Sequence, residues 1–139
     1  MARLLLTTLT LLILLVPSVQ AGDDFIPNLI GKWEGQANAI IVGTSDHKGV
    51  SKEPTTHTTP WVMEFQGQKG RFFWGTSSSP NYSESIIGQI DPDGHGIYIV
   101  EEDGMYIGKI IGNKMIINYI EVHSKNRVAA YSELVKVKK

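Results

Sequence analysis

From Pro27 to the end of the chain almost nothing repeats at the three-to-four-residue spacing of an amphipathic helix. Apolar and polar side chains instead alternate with a period of two, in short runs separated by clusters of Gly, Pro, Asp and Asn. A period of two places alternate side chains on opposite faces of an extended strand, so each run has one face to bury and one to leave in water. The pattern predicts eight antiparallel strands, near 31–42, 61–66, 71–76, 86–91, 97–102, 105–111, 114–122 and 127–136.

Turn chemistry sets the expected register. Asp103-Gly104 suits a two-residue type I′ turn, and Gly112-Asn113 is a similar candidate. Glu101 then faces Tyr106, which faces Tyr119; Ile99 faces Gly108 and Ile117; Ile97 faces Ile110 and Met115. Directly opposed residues share a face. The other face carries Tyr98, Lys109, Lys114 and Asn118 and is read as the outside. If residues 67–70 form the next loop, Phe65 faces Phe72, Met63 faces Trp74 and Trp61 faces Thr76, all inside. On the first strand Trp33, Gly35, Ala37, Ala39 and Ile41 point in, as do Val128, Ala130, Ser132 and Leu134 on the last.

The expected fold class is therefore all-β: a small antiparallel up-and-down barrel of about eight strands, with a β-sandwich as the other closure of the same strands. Eight strands leave room for packed side chains or one small ligand. Two connections, 43–60 and 77–85, read as long loops rich in Ser, Thr, Pro and Gly. In an up-and-down order both lie at one end, which marks that end as the place for function.

Met1 to Ala21 has the form of a secretory signal. Arg3 starts it, Leu4 to Val16 is an apolar run, Pro17 ends the run, and Val19 and Ala21 are small residues before the cleavage point. Thirteen residues are too few to span a bilayer, which takes about 20. Residues 1–21 are thus read as a signal peptide and 22–139 as a single β-barrel domain, with a secreted or periplasmic location and no membrane anchor after cleavage. Without Arg3, twelve basic side chains stand against fourteen acidic ones, mixed along the chain. Such a balance argues against a nucleic-acid partner. The chain has no cysteine, so its core must hold without disulfides, and the absence favours bacterial export. The sequon Asn81-Tyr82-Ser83 matters only in a host that glycosylates it.

Gly31-Lys32-Trp33 opens the first strand with Gly-x-Trp. This resembles the start of the calycin barrels, the lipocalins and avidins. The resemblance implies that Trp33 plugs a closed end beside Gly31, that Lys136 packs across it where the family usually has arginine, and that a small molecule binds at the open end. The avidin biotin-contact pattern is not present. The stretch from Trp61 to Thr76, with the closing Arg127-to-Lys138 strand, also looks like small uncharacterised exported bacterial proteins.

No motif for chemistry is complete. Asp91-Pro92-Asp93-Gly94-His95-Gly96 with Glu102 comes near the spacing of an EF-hand loop, but His95 is a poor calcium ligand and no helices flank it. His47, His57, His95 and His123 have no zinc-like spacing, so no metal or cofactor is expected. There is no cysteine nucleophile and no Gly-x-Ser-x-Gly elbow, and the protein is read as not an enzyme. An inward Glu101 beside Tyr106 and Tyr119 is the group of most interest, because a buried carboxylate must find hydrogen-bond donors.

The expected function is non-enzymatic binding of a small apolar or aromatic ligand at the open end, by Trp61, Trp74, Glu101, Tyr106 and Tyr119. The alternative is a protein-binding module, such as an exported hydrolase inhibitor. A cavity beneath Trp61 would favour the first and a filled barrel the second. Mass spectrometry of the protein from its own host should give a chain that starts at Gly22; a product that keeps Leu4 to Val16 would overturn export.

Overall fold

A computed structural model of the chain describes residues 26–45 and 49–138. Eight antiparallel strands follow one another: β1 (Gly31–Ser45), β2 (Gly49–Lys69), β3 (Phe72–Ser79), β4 (Tyr82–Ile90), β5 (Gly96–Val100), β6 (Gly104–Ile111), β7 (Lys114–Val122) and β8 (Asn126–Lys136). Each pairs with the next, and β8 pairs with β1, so the sheet closes into an up-and-down barrel rather than a sandwich. The inner faces of β1 and β8 are those the alternation predicts: Trp33, Ala37 and Ile41 are buried against Val128, Ser132 and Leu134. Tyr98, Lys109, Lys114 and Asn118 lie outside.

Three expectations are corrected. First, most of 43–60 is strand, not loop. Ala37 to Ile41 pair with Thr59 to Thr55, and the ladder resumes from Gly43 after a bulge. The threonines there read as loop polarity, yet β-branched residues suit a strand once a partner lies alongside. Likewise 77–85 is two strand ends joined by a tight turn at Pro80-Asn81.

Second, the β2–β3 hairpin turns at Gly70-Arg71, not over 67–70, with Lys69 opposite Phe72. Gly70 has φ of +57°, a conformation glycine adopts at no steric cost. The register shifts by one between Phe65 and Gly67, so Phe65 faces Gly75 and Gly67 faces Trp74. Moving a turn by one residue exchanges the faces of the next strand. Phe73 is consequently in the core and Phe72 and Trp74 are on the outer surface, the reverse of the expectation. Phe73 meets Phe65 edge-on, with ring centroids 5.0 Å apart. Trp74 lies over Gly67, where an added Cβ would come 2.1 Å from its ring.

Third, the β5–β6 connection is longer than a two-residue turn. Ile99 faces Tyr106 and Ile97 faces Gly108, two residues away from the expected pairing. A shift of two preserves the faces, so the inward set is unchanged.

The chain before β1 and the end of β8 seal one end of the barrel. Gly31 enters β1 at φ +115°. Trp33, fully buried, donates from Nε1 to the Leu29 carbonyl at 2.9 Å. Lys136 holds its Nζ 5.5 Å from the Trp33 ring centre and donates to the Asn28 carbonyl at 2.7 Å. Burial beside the ring lowers the Lys136 pKa. Gln68 ties the leading segment down, accepting from Leu29 N at 2.8 Å and donating to the Pro27 carbonyl at 2.9 Å. Above this floor Met63, Phe65, Phe73, Ile99, Ile117 and Leu134 fill the interior.

The register makes a sharp test. Phe73→Ala should destabilise the fold by about 3–5 kcal/mol, as for other buried large aromatics, while Phe72→Ala should cost less than about 0.5–1 kcal/mol, as for an exposed side chain. Chemical denaturation of both variants measures this; equal losses would refute the hairpin register.

Candidate functional site

Toward the other end the interior changes character. Ala37, Ala39 and Ala130 replace the bulky residues below, and a cavity of about 40 Å³ remains beside Trp61, Tyr106, Tyr119 and Glu121. That is room for about one or two water molecules. Trp61 and Tyr106 are buried, and Tyr119 is half-buried. The two tyrosine rings lie 4.6 Å apart at a tilt of 39°. They are directly paired across β6 and β7, which sets that spacing. Gly104 gives Tyr119 its place: a Cβ there would sit 2.3 Å from the hydroxyl.

Beyond the rings lies a polar network. The Tyr106 hydroxyl donates to Glu101 Oε2 at 3.0 Å and lies 3.0 Å from Ser77 Oγ. The Tyr119 hydroxyl lies 3.2 Å from both Asp103 Oδ1 and Glu121 Oε2. It has one proton for two carboxylates, so it donates to one of them at a time. Asn126 Nδ2 donates to the other oxygen of Glu121. His123 Nε2 is 3.1 Å from the Asp103 carbonyl. Carboxylate oxygens of Glu84, Glu101 and Asp103 lie within 4.8 Å of one another, and so do ligand atoms of Asp103, Glu121 and His123. Among the described residues no lysine or arginine forms an ion pair with these four carboxylates.

The electrostatics follow from crowding like charges in a half-buried place. Burial, and after it the charges of Glu101 and Asp103, pushes the Glu84 carboxyl up to about 8. Burial raises Glu101 as well, against the pull of hydrogen bonds from the tyrosines. Burial and Asp103 raise Glu121. Burial and the Glu101 charge raise both tyrosines, which therefore remain protonated donors.

Of the residues expected to form the site, Trp61, Tyr106 and Tyr119 meet at the cavity, with Glu101 hydrogen-bonded to Tyr106. Trp74 does not join them; it is on the outer face, 47% exposed, for the register reason given above. Glu84, Asp103 and Glu121 belong to the site without having been singled out in it. Glu121 was legible, since it shares inward parity with Tyr119. Ser77 was hidden by the mistaken hairpin register. His57 lines the cavity, His123 touches its rim, and His47 lies outside the described residues. The 91–96 loop is an ordinary turn: Asp91 accepts from Gly96 N at 3.0 Å and Asp93 from His95 N at 2.7 Å. The whole of β5 separates it from Glu102, so the calcium spacing is not a site.

No family model and no curated protein matches the chain. Among solved structures it is similar to zebrafish ileal bile acid-binding protein complexed with cholic acid, at 17% identity and a TM-score of 0.41, over 78% of this chain and 98% of that one. Similarity of that order carries no argument about this chain.

The carboxyl cluster predicts an unusual pH dependence. A carboxyl whose pKa is raised on folding binds its proton more tightly in the folded state. Its stabilisation is full below the unfolded pKa of about 4.5 and is lost as pH rises toward 8. Glu84→Gln should therefore raise the melting temperature at pH 8.5–9 (about pH 9 lies above the titration) and flatten its fall between about pH 5 and 9. Thermal denaturation across that range checks it; an unchanged slope would show that Glu84 ionises freely.

Proposed function

We propose that this protein is an exported, non-enzymatic binding protein that holds a small ligand at the open end of its barrel. The observation that carries the reading is the meeting of Trp61, Tyr106 and Tyr119 with small alanines at one cavity, beside carboxylates that no lysine or arginine pairs with among the described residues. Aromatic walls with a few convergent polar groups suit a small-molecule site. The ligand has an apolar or aromatic body against the rings and a hydrogen-donating or positively charged group toward Glu101 and Glu121. Full seating needs more room than the cavity offers. β2 above Trp61 is the element to move, because there it pairs with β1 but not with β3.

Chemistry is not assigned to the site. Ser77, Tyr106 and Glu101 form a hydrogen-bonded chain, but its tyrosine stays protonated, and a carboxylate held by a phenol does not activate a serine. A leader at 1–21 supports a secreted or periplasmic location. The well-filled lower interior favours a second reading, a protein-binding module such as a hydrolase inhibitor.

A thermal-shift screen of metabolite fractions should yield a ligand whose binding Trp61→Leu weakens about tenfold or more, the equivalent of about 1.4 kcal/mol, and Trp74→Leu leaves unchanged. If no fraction shifts the wild type, the small-molecule reading fails and the protein-binding one gains. If a ligand binds the Trp61 variant normally, the site is wrong.

A further inference from the structure

The outer surface of this barrel is not uniformly polar. Trp74, Ile87, Val100, Met105 and Ile120 are each directly opposite the next across β3 to β7, and form one unbroken apolar row. All five face outward and are between 39% and 64% exposed. Two residues further along the strands a second row contains Phe72, Tyr98 and Ile107, interrupted by the uncharged Gln89 and Asn118. Neither row contains a charge. The outer faces of β1, β2 and β8 are mixed, with exposed Lys32, Glu34, Glu64 and Glu133 beside exposed Ile40, Tyr131 and Val135. The two rows on β3 to β7 are therefore free of charge, while β1, β2 and β8 mix charged with apolar side chains.

A solvated sheet face should alternate polar against the buried set, and a contiguous apolar patch of this size marks an interaction surface. We propose that the β3–β7 face is the interface of a homodimer, two copies meeting through the same patch about a two-fold axis near Val100 and Met105. Three observations select a second copy. On β4 to β6, the strands that face one way, Ile87, Val100, Met105, Tyr98 and Ile107 expose about 500 Å², so two copies would cover about 1,000 Å², the lower end for a specific interface and fitting for a dimer that dissociates on dilution. The patch is uncharged, so two copies can oppose it to itself without repulsion, as a two-fold interface requires. Its surroundings have the polar rim of such interfaces: Thr76 and Ser85 on one side, Lys109 and Glu133 on the other. A membrane fits less well. The rows are about 7 Å apart, two residues of strand rise, whereas a hydrocarbon core is about 30 Å thick.

Sedimentation velocity of the purified protein over a concentration series, with flotation on phosphatidylcholine vesicles, tests the proposal. The wild type should sediment as a dimer that dissociates on dilution. Ile87→Lys combined with Val100→Lys should raise the dimer dissociation constant by about 30-fold or more, as expected for central anchors. Circular dichroism should show its fold unchanged, because both positions point to solvent. Gln36→Lys, on the outer face of β1 across the barrel from β5, should leave the dimer intact and controls for added charge. A wild type monomeric throughout the series overturns the proposal. So does a dimer that survives the Ile87/Val100 variant. A monomer that floats with vesicles would assign the face to lipid instead.

Discussion

The pairing of β1 with β8, from Trp33 opposite Lys136 to Gly43 opposite Asn126, is the constraint on which the rest of the molecule depends. Closure removes the two open edges that an eight-stranded antiparallel sheet would otherwise present. It also gives every strand an inner and an outer face, which the alternation then fills. The same pairing carries Lys136 to Trp33 and so builds the sealed end. β2 above Trp61 is longer than the β3 beside it and pairs there with β1 alone, as β4 before Ile87 pairs with β3 alone. The β2 segment carries Pro54 and Pro60, which have no N–H to offer a further strand, a common protection for a free edge.

The contents of the barrel grade from apolar to polar along its axis. Below, large side chains fill the space between strands and leave little to bind. Above, alanines on β1 and β8 open a small cavity, and the ends of β4, β6 and β7 with the β5–β6 connection bring carboxyl groups to its rim. Placing Glu84, Glu101, Asp103 and Glu121 together, without a lysine or arginine partner among the described residues, is unfavourable for folding. Shared protons and phenol hydrogen bonds offset part of that cost. A polar cluster arranged against stability, beside aromatic rings that line a cavity, is the pattern of a site rather than of a core.

The outer wall follows a separate logic. Its apolar rows pair in register as regularly as the core does, so they arise from cross-strand neighbours and not from scattered exposed residues. A face of this kind and a site at the open end do not compete for the same surface, because the rows run around the barrel while the cavity opens along its axis. Association through the wall would leave both mouths of a dimer free.

The period-two pattern by itself determined the all-β class, the number and order of strands, and the inner faces of β1, β5, β6, β7 and β8, because parity along a strand is local. Opposition of Tyr106 and Tyr119 followed as well, since Gly112-Asn113 admits one tight turn. Tertiary structure decided what parity could not reach. The bulge before Gly67 and the turn at Gly70-Arg71 exchanged Phe72 and Trp74 for Phe73, since one residue of register reverses a strand and only the packed core selects between the choices. The threonine-rich stretch before Pro60 became strand because β1 lay beside it. The union of Glu84, Glu101, Asp103 and Glu121 joins strands and a turn far apart in the chain, and only the curvature of a closed barrel brings their side chains to one rim.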